Sequence, residues 1–437
     1  MPNKNTKETV YIVAGTRTPQ LKAGAKRGDF SASDLAVSAA RELLLGMPFS
    51  AEQLHEVIIG CVMPEAQEAN IARQVALRVG CGEKVTAWTV QRNCASGLQA
   101  IDSSINAIRS GRSELILTGG TEAMSRAPVL WNEKMINWLA QWMHSSGSHR
   151  LELIAQLRPI FFKPVFALLK GLTDPIVNLS MGQTAENLAH HFDIHREEMD
   201  DYAFHSHARL AKAIDEGVMD DELSPIVNSK GEVIKYDTGL RRDCSPNKLS
   251  KLKAVFDRKY GSITAGNSAQ VSDGACMLIM ANRKMVDKYH LQPLGKIIDC
   301  QWQALSPAEM GLGPAHAISS LLKKRHLKLD QIDYWEINEA FAAQVIACVR
   351  ALNDKDYCRQ KLNLRSPVGE ISEQQLNIDG GSISLGHPVG ASGARIVLHL
   401  LNILQRKQAR RGIASLCIGG GQGGAILLEP ELSWSKT

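Results

Sequence analysis

The sequence is organised around Val85-Thr86-Ala87-Trp88-Thr89-Val90-Gln91-Arg92-Asn93-Cys94-Ala95-Ser96-Gly97, in which Cys94 joins two apolar patterns. Residues 85–90 form a short β-branched run that predicts a buried strand, and apolar residues within 98–108 recur at helical spacing. The small residues after Cys94 let a ligand approach the backbone, where the first helical N–H groups are free. Aligned peptide dipoles stabilise a thiolate, so we expect Cys94 to be a nucleophile that is anionic at neutral pH. Taken alone, a cysteine in such a chain is far more often a buried structural residue.

The length and composition describe a large protein with an ordinary core. A chain of 437 residues predicts two domains or an internally duplicated fold, because single cores stop growing well below this length. Hydrophobic residues make up 44% and charged residues 22% of the chain, as in globular proteins that fold in water. The net charge of +5 is mild, so we interpret the basic clusters 323–325 and 406–411 as exposed helix faces and expect no nucleic acid partner.

Cysteine usage and the first residues predict the compartment. The nine cysteines include no CxxC pair and have no regular spacing, which argues against a disulfide framework and a zinc site. Residues 1–10 are polar, without the apolar core of a signal peptide or the arginine-rich pattern of a transit peptide. We therefore expect a cytoplasmic protein.

Predicted strands and helices alternate along the first part of the chain, in the order 11–15, 33–45, 57–62, 71–79, 85–90, 98–108 and 115–120. This alternation predicts an α/β fold with a parallel or mixed sheet that is covered on both faces. A long helical region is predicted over 181–216, and strand and small-residue loop return at 262–280, as if the first sheet were completed after an excursion.

Residues 128–175 interrupt this alternation. They contain Trp131, Trp138 and Trp142, and their apolar runs are broken by proline and lysine, so none reaches the length of a membrane span. Tryptophan and lysine on short amphipathic helices suit a bilayer surface or a partner subunit. The alternative is a helical insertion folded over its own domain.

Five histidines in the predicted helical region 181–216 raise the question of a metal site. They are mixed with Asp and Glu, no cysteine accompanies them, and they lack the HExxH pattern. We expect no metal site there.

The second half repeats the first in outline. Gly390-Ala391-Ser392-Gly393 opens a predicted helix as Cys94-Ala95-Ser96-Gly97 does, and 414–420 follow it as 115–120 follow the first helix. The matching order of elements indicates a duplication, which would bring the two helix-opening loops together about a pseudo-twofold axis.

Three further stretches fit a cysteine nucleophile. Gly386-His387-Pro388 places a histidine in a stiff loop before a helix, where an imidazole can take the thiol proton. Cys417 precedes the glycine-rich run 419–424, whose bare N–H groups could form an oxyanion hole. Asn338-Glu339 supplies an amide that can hold a water and a carboxylate that could brace it, although Asn338 alone reads as a helix cap.

With these stretches together, the sequence resembles the thiolase family. The motifs that carry the resemblance are Asn93-Cys94-Ala95-Ser96-Gly97, Gly119-Gly120-Thr121-Glu122-Ala123-Met124-Ser125, Met181-Gly182-Gln183-Thr184-Ala185-Glu186-Asn187, Asn338-Glu339-Ala340-Phe341, Gly386-His387-Pro388 and Cys417-Ile418-Gly419-Gly420-Gly421. The resemblance covers nearly the whole chain. The insertion at 128–175 looks like the longer form found in thiolase subunits of fatty-acid oxidation complexes.

The resemblance implies an α/β fold in the form of a duplicated five-layer α-β-α-β-α sandwich with an inserted loop domain. The N-terminal core domain would comprise residues 1–125 plus 255–288. The loop domain would span 126–254, and the C-terminal core domain 289–437.

The resemblance also implies a role for each site residue. Cys94 would be the acylated nucleophile, His387 would activate it, and Cys417 would be the acid and base for the acetyl-CoA carbanion. Asn338 would hold a water that, with His387, stabilises the enolate oxygen, and the N–H groups of Cys94 and Gly419 would receive the acyl-enzyme oxyanion. No cofactor or metal is implied, because coenzyme A (CoA) is a substrate.

CoA contacts are implied for Arg241 and Ser268. Many thiolases read Ala-Gly-Asn-Ala-Ser where this chain reads Ala265-Gly266-Asn267-Ser268-Ala269, so the hydroxyl is moved by one place. Arg241 matches a basic position that could approach the phosphates, but Arg242 beside it could serve instead, and both could simply be solvated.

The implied activity is that of a degradative 3-ketoacyl-CoA thiolase, an acetyl-CoA C-acyltransferase of fatty acid β-oxidation. One rival is a biosynthetic acetoacetyl-CoA thiolase, and the other is a non-catalytic thiolase-fold subunit that docks on a membrane or a partner. The implied partners are CoA and acyl-CoA, a second copy in a homodimer, a hydratase/dehydrogenase subunit and a peripheral membrane contact through 128–175.

Overall fold

The computed structural model describes residues 8–431. Most of the polar N-terminal stretch on which the cytoplasmic prediction rests, residues 1–7, lies outside this range. The strands are β1 Val10–Arg17, β2 Leu21–Lys22, β3 Glu56–Gly60, β4 Thr86–Val90, β5 Leu115–Ala123, β6 Val129–Trp131, β7 Pro164–Phe166, β8 Ile226–Val227, β9 Val233–Ile234, β10 Ser272–Asn282, β11 Gly295–Ala304, β12 Tyr334–Ile337, β13 Gly412–Ile418 and β14 Gln422–Pro430. The α-helices are α1 Ala32–Leu45, α2 Ile71–Arg78, α3 Ser96–Arg109, α4 Glu133–His144, α5 Ser148–Gln156, α6 Ala167–Gly171, α7 Met181–His191, α8 Arg196–Asp215, α9 Pro246–Leu249, α10 Arg283–Lys288, α11 Gly313–Arg325, α12 Ala342–Asn353, α13 Lys355–Gln360, α14 Ser382–Leu385 and α15 Val389–Arg406.

One mixed sheet of ten strands runs through both halves of the chain, in the order β12-β13-β14-β11-β1-β10-β5-β3-β4 with β2 paired to β10. The halves meet where β1 and β11 pair antiparallel, with Val10 opposite Ile297 and Ile12 opposite Gly295. From this junction the strand order is the same outward in each half, β1-β10-β5-β3 and β11-β14-β13-β12. The pairs β3-β5 and β12-β13 are both parallel. The predicted duplication is therefore present in the fold.

Helices cover both faces of each half of the sheet. Between the halves, α3 and α15 pack on each other in a core that includes Ile101, Ile105, Val397 and Leu400. Helices α1 and α2 cover the outer face of the first half, and α11 and α12 cover the outer face of the second. The predicted α-β-α-β-α sandwich is confirmed.

The central layer is tight because glycines lie where α3 and α15 begin. A Cβ on Gly120 of β5 would lie 2.0 Å from the Gly390 carbonyl oxygen, and a Cβ on Gly97 would lie 2.8 Å from the same atom. A Cβ on Gly390 would lie 2.3 Å from the Thr121 carbonyl oxygen. Only a residue without a side chain permits this approach. The loops that precede α3 and α15 are therefore held side by side.

The predicted helical region 181–216 is present as two helices, α7 and α8, because the chain turns at Asp193, which has a left-handed φ of 50°. The prediction that residues 85–90 form a buried strand is wrong about burial. The strand β4 is half-exposed, with Trp88 at 36%, because it lies at the end of the sheet where no described strand pairs with its outer side.

The chain returns to the first half of the sheet after the inserted segment, in the predicted order of loop and then strand. After β9 and α9, the chain passes through a loop at 262–269 and enters β10, which inserts between β1 and β5 of the first half. The domain boundaries at 125, 255 and 288 stay predictions.

Residues 128–175 form β6, α4, α5, β7 and α6. Met135 and Leu153 are the buried centre of this segment, and Trp138 Nε1 donates to the Leu153 carbonyl at 2.8 Å. Eleven of the twenty exposed large hydrophobic residues in the described part of the chain lie here. The segment therefore keeps an apolar face that its own domain does not cover. Among the described residues, no helix is both long enough and apolar enough to cross a bilayer.

Candidate active site

Cys94 lies in the short loop between β4 and α3. The Ser96 hydroxyl fixes this loop, because it donates to the Asn93 carbonyl at 2.7 Å and accepts from the Arg92 N–H at 2.9 Å. The Asn93 backbone is left-handed, with a φ of 43°, and its side-chain amide donates to the Gly419 carbonyl at 2.8 Å. This last bond ties the cysteine loop of the first half to the glycine loop of the second.

The glycine loop joins β13 to β14 and follows Cys417. Gly420 and Gly421 have positive φ values of 90° and 78°, which L side chains rarely adopt. The Gly419 N–H and the N–H of Cys94 itself both donate towards the Cys94 sulfur. Two backbone donors from different halves of the chain thus converge on the sulfur, and such N–H groups can also donate to an oxyanion formed beside it.

The Cys94 thiol is neutral, so the expectation of a resting thiolate is wrong. Burial raises its pKa to about 11, and this effect exceeds the opposing effect of the N–H donors of Gly419 and Cys94. The residue is half-buried. The dipole of α3 does not offset the loss of water around the sulfur, and the thiol therefore needs a base.

His387 has the properties of that base. The backbone N–H of His387 donates to the Gln270 carbonyl at 3.1 Å, and the preceding Gly386 has a φ of 115°. Its Nδ1 lies 2.7 Å from the Ser392 hydroxyl, which itself donates to the Pro388 carbonyl at 3.0 Å. Burial, with a smaller contribution from the charge of Arg395, lowers the His387 pKa to about 4. The imidazole is therefore neutral and able to accept a proton at neutral pH.

Asn338 follows β12 and faces His387. Its side-chain nitrogen lies 3.4 Å from His387 Nε2, and its side-chain oxygen accepts a 2.6 Å hydrogen bond from Ser382. Asn338 is not a helix cap, because α12 begins at Ala342 with Phe341 at its N-cap position.

Glu339 braces a neighbouring loop, contrary to the expectation that it would brace Asn338. It accepts hydrogen bonds from Ser206 at 2.7 Å and from the Ile383 N–H at 3.1 Å. Its side chain thereby fixes the segment that carries Ser382, and Ser382 is the residue that contacts Asn338.

Cys417 is a second buried thiol at the same place. Burial raises its pKa well above the ordinary value, and the nearby Cys94 raises it further. Because Cys417 keeps its proton at neutral pH, it can act as an acid. The structure thus brings together Cys94, Gly419 and Cys417 in one group, and Asn338 and His387 in a second.

Glu122 is a buried carboxylate at this site to which the sequence analysis assigned no role. It accepts hydrogen bonds from the N–H groups of Val62, Met63 and Gly390 at 2.9, 3.0 and 3.0 Å. Burial raises its pKa to about 7 despite these donors. A glutamate inside the otherwise uncharged strand at 115–123 was the available signal. The Glu122 carboxylate thereby links the first turn of α15 to the residues that follow β3.

The two residues expected to contact CoA lie outside this cluster of hydrogen bonds. Arg242 pairs with Asp215 at 2.7 Å, whereas the Arg241 N–H donates to His207 Nδ1 at 3.3 Å. Ser268 is buried, and its hydroxyl donates to the Thr264 carbonyl at 2.6 Å. Its oxygen can still accept a hydrogen bond. Arg241 and Ser268 stay predictions as CoA contacts.

The histidines of α7 and α8 do not form a metal centre in the structure. Within residues 8–431, no group of three or more His, Cys, Asp or Glu side chains is arranged to hold a metal ion.

This arrangement can transfer an acyl group. It holds a thiol nucleophile, a neutral base, a protonated thiol and backbone donors for an oxyanion. An amide donor beside the base can stabilise a second negative oxygen. Such a set suits the cleavage or formation of a carbon–carbon bond next to a thioester.

Comparison with known proteins agrees with this chemistry. The family models for Thiolase, N-terminal domain and Thiolase, C-terminal domain match residues 10–284 and 291–430. The mitochondrial 3-ketoacyl-CoA thiolase of Bos taurus is 38% identical over 424 residues, which cover 96% of this chain and 98% of that protein. The acetyl-CoA acetyltransferase of Syntrophomonas wolfei subsp. wolfei is 35% identical over 423 residues, with 96% and 98% covered.

A solved structure extends the similarity to the fold. Human mitochondrial 3-ketoacyl-CoA thiolase in complex with CoA matches this structure with a TM-score of 0.84 at 35% identity, covering 97% of this chain and 98% of that one. Site, family models and fold therefore agree, and the chain belongs to the thiolase family of acyltransferases.

Proposed function

We propose that this acyltransferase is a 3-ketoacyl-CoA thiolase of fatty acid β-oxidation. It would convert 3-ketoacyl-CoA and CoA into acetyl-CoA and an acyl-CoA that is two carbons shorter. The observation that carries the proposal is the placing of the Cys94 sulfur against the N–H groups of Cys94 and Gly419, with the second thiol, Cys417, near enough to interact with it. CoA is treated as a substrate, in keeping with the relative solved in complex with CoA.

The first half-reaction acylates Cys94. His387 Nε2 accepts the thiol proton as the sulfur attacks the C3 carbonyl, because both groups are neutral at rest. The oxyanion accepts hydrogen bonds from the N–H groups of Cys94 and Gly419. When it collapses, the C2–C3 bond breaks and its electron pair leaves as the enolate of acetyl-CoA. Asn338, through a water, and protonated His387 stabilise the enolate oxygen, and Cys417 gives its proton to C2.

The second half-reaction releases the shortened acyl group. The thiol of an incoming CoA gives its proton to the Cys417 thiolate and attacks the thioester at Cys94. The same two N–H groups hold the oxyanion. Cys94 then leaves and recovers its proton from His387. The thioester bond is thus passed from cysteine to CoA without hydrolysis.

A biosynthetic acetoacetyl-CoA thiolase would use the same residues in the opposite direction. A relative named 3-ketoacyl-CoA thiolase matches this chain at 38% identity, and a relative named acetyl-CoA acetyltransferase matches it at 35%. The long segment 128–175 supports the degradative role, because it resembles the form found in thiolase subunits of fatty-acid oxidation complexes. A non-catalytic docking subunit would have no need of the buried base and the two buried thiols.

Thiolysis measurements at different acyl lengths test the proposed function. We expect loss of the absorbance of the magnesium complex of 3-ketohexadecanoyl-CoA, with kcat/KM at least about tenfold above that for acetoacetyl-CoA, since each buried methylene contributes about 0.8 kcal/mol. Activity confined to acetoacetyl-CoA would instead support the biosynthetic enzyme. Absence of thiolysis with both substrates would support the docking subunit.

Two cysteine variants separate the roles of the thiols. Cys94→Ser should lose acetylation by acetyl-CoA, seen as added mass on the intact chain, because a buried hydroxyl is far harder to deprotonate than a thiol. Cys417→Ala should still be acetylated but should lose thiolysis by about 10²- to 10⁴-fold, the usual contribution of a general acid and base. Cys358→Ser, which alters another buried cysteine, in α13, serves as the matched control and should retain both reactions. Undiminished acetylation of the Cys94→Ser chain contradicts the assignment of the nucleophile.

We further propose that the chain forms a homodimer and binds other surfaces through 128–175. The exposed edge strand β4, with the half-exposed Trp88, supports a contact with a second copy. On 128–175, exposed Lys134, Arg158 and Lys163 lie among the exposed apolar residues. That combination fits either an anionic lipid surface or a hydratase/dehydrogenase subunit. A cytoplasmic location likewise remains a proposal.

Vesicle flotation distinguishes the two candidate surfaces. If the segment binds lipid, the protein should float with vesicles rich in phosphatidylglycerol and not with phosphatidylcholine alone, and Phe162→Ser with Leu169→Ser should abolish flotation. Leu45→Ser with Tyr260→Ser changes two apolar residues outside the segment that are more exposed than Phe162 and Leu169, and should leave flotation intact. Failure of the unaltered protein to float would favour the protein partner.

Sedimentation tests the proposed homodimer. Lipid-free protein in the same gradient should sediment with the mass of two chains.

A further inference from the structure

A buried arginine lies two turns beyond the catalytic loop on α15. Arg395 is 1% exposed, and its Nη1 lies 3.2 Å from Oε2 of the equally buried Glu336. A charge enclosed in this way is costly to desolvate, and a buried ion pair adds little net stability over apolar residues of similar size. Stability alone is therefore a weak reason for this pair to stand beside the site.

The guanidinium group reaches the site through a serine. Arg395 Nη2 donates to the Ser382 hydroxyl oxygen at 3.4 Å, and Ser382 donates to the Asn338 side-chain oxygen at 2.6 Å. A guanidinium can only donate, so the serine oxygen accepts from it and the single hydroxyl hydrogen is free for Asn338. Only the carbonyl end of the Asn338 amide can receive that hydrogen. The NH2 end must then face His387.

The direction of donation continues through the imidazole. The Asn338 nitrogen donates across 3.4 Å to His387 Nε2, which must therefore carry the lone pair. The proton is on Nδ1, which donates to Ser392 at 2.7 Å, and Ser392 donates to the Pro388 carbonyl at 3.0 Å. Every group in this chain of bonds donates to the next, from Arg395 to Pro388.

We propose that Arg395 is a positioning residue for the proposed thiolase reaction. Through Ser382 it fixes the orientation of the Asn338 amide, and through that amide it holds His387 in the tautomer whose unprotonated Nε2 can accept the Cys94 proton. This inference rests on the proposed function of the site. It assigns Arg395 no contact with substrate.

The charges around His387 are consistent with this role. Arg395 opposes protonation of the ring and adds to the larger effect of burial on the His387 pKa. The nearby carboxylates are engaged with other donors. Glu336 pairs with Arg395, Glu122 accepts from the Gly390 N–H, and Glu339 accepts from the Ile383 N–H. Cys94 and Cys417 are protonated thiols at neutral pH and add no charge.

Two sets of substitutions test the proposal by the rate at which acetyl-CoA acetylates Cys94, measured by rapid quench and intact-mass analysis from about pH 3.5 to 8. Arg395→Met with Glu336→Gln removes both charges of the pair, so no lone carboxylate is left buried. We expect its acid limb to lie at higher pH than that of the unaltered enzyme, because the positive charge no longer opposes protonation of His387. Ser382→Ala keeps the charges and breaks the bonded chain. It should lower the rate roughly tenfold at all pH values, the effect of about one hydrogen bond, without moving the acid limb.

A matched control is Arg406→Met, which removes a cation from the same helix. Arg406 bonds Asp379 and makes no hydrogen bond to Ser382 among the described residues. Its acetylation rate and acid limb should match those of the unaltered enzyme. Acid limbs that coincide in the double variant and the unaltered enzyme overturn the proposal, as does an unchanged rate in Ser382→Ala. If the double variant does not fold, Ser382→Ala alone decides.

The outcome for the unaltered enzyme separates this inference from the proposed function. Unaltered enzyme that is not acetylated on Cys94 overturns the proposed function. Unaltered enzyme that is acetylated, with variants that behave identically to it, overturns only the role of Arg395.

Discussion

The close crossing of α3 and α15 is the contact on which the site depends. Gly97, Gly120 and Gly390 let backbone meet backbone where the two helices begin, and the Asn93 side chain then bonds the Gly419 carbonyl. Each half of the chain alone holds one part of the chemistry. The first half supplies Cys94, and the second supplies His387, Asn338, Cys417 and the glycine loop. A side chain at any of these three glycines would separate the helix starts and move the nucleophile from its base.

Enclosure between the halves also sets the protonation states. Removing water raises the pKa of both thiols and lowers the pKa of His387, so all three groups rest uncharged. Charge then appears only as the reaction proceeds, at places already faced by backbone or amide donors. Ionisable groups lie further out, in Glu122, which bonds the first turn of α15, and in the Arg395–Glu336 pair.

The sequence predicted what depends on local pattern. The strand and helix around Cys94 and the repeat of the helix-opening motif were readable along the chain, whereas the roles of Cys94, His387 and Cys417 stay predictions. The neutral state of Cys94 was not, because it depends on burial by residues far away in sequence. The contact of Ser382 with Asn338 joins positions 44 residues apart, and no spacing rule predicts it. The break at Asp193 escaped prediction because a left-handed aspartate leaves little trace in a helical pattern.

A crystal structure of the enzyme after acetylation by acetyl-CoA would test most directly whether the two loops form one site. The account predicts an acetyl group on the Cys94 sulfur, its carbonyl oxygen within hydrogen-bond distance of the N–H groups of both Cys94 and Gly419. His387 Nε2 and the Cys417 sulfur should both face the acetyl methyl carbon. An acetyl oxygen that turns away from Gly419, or an acetyl group on another cysteine, would contradict it.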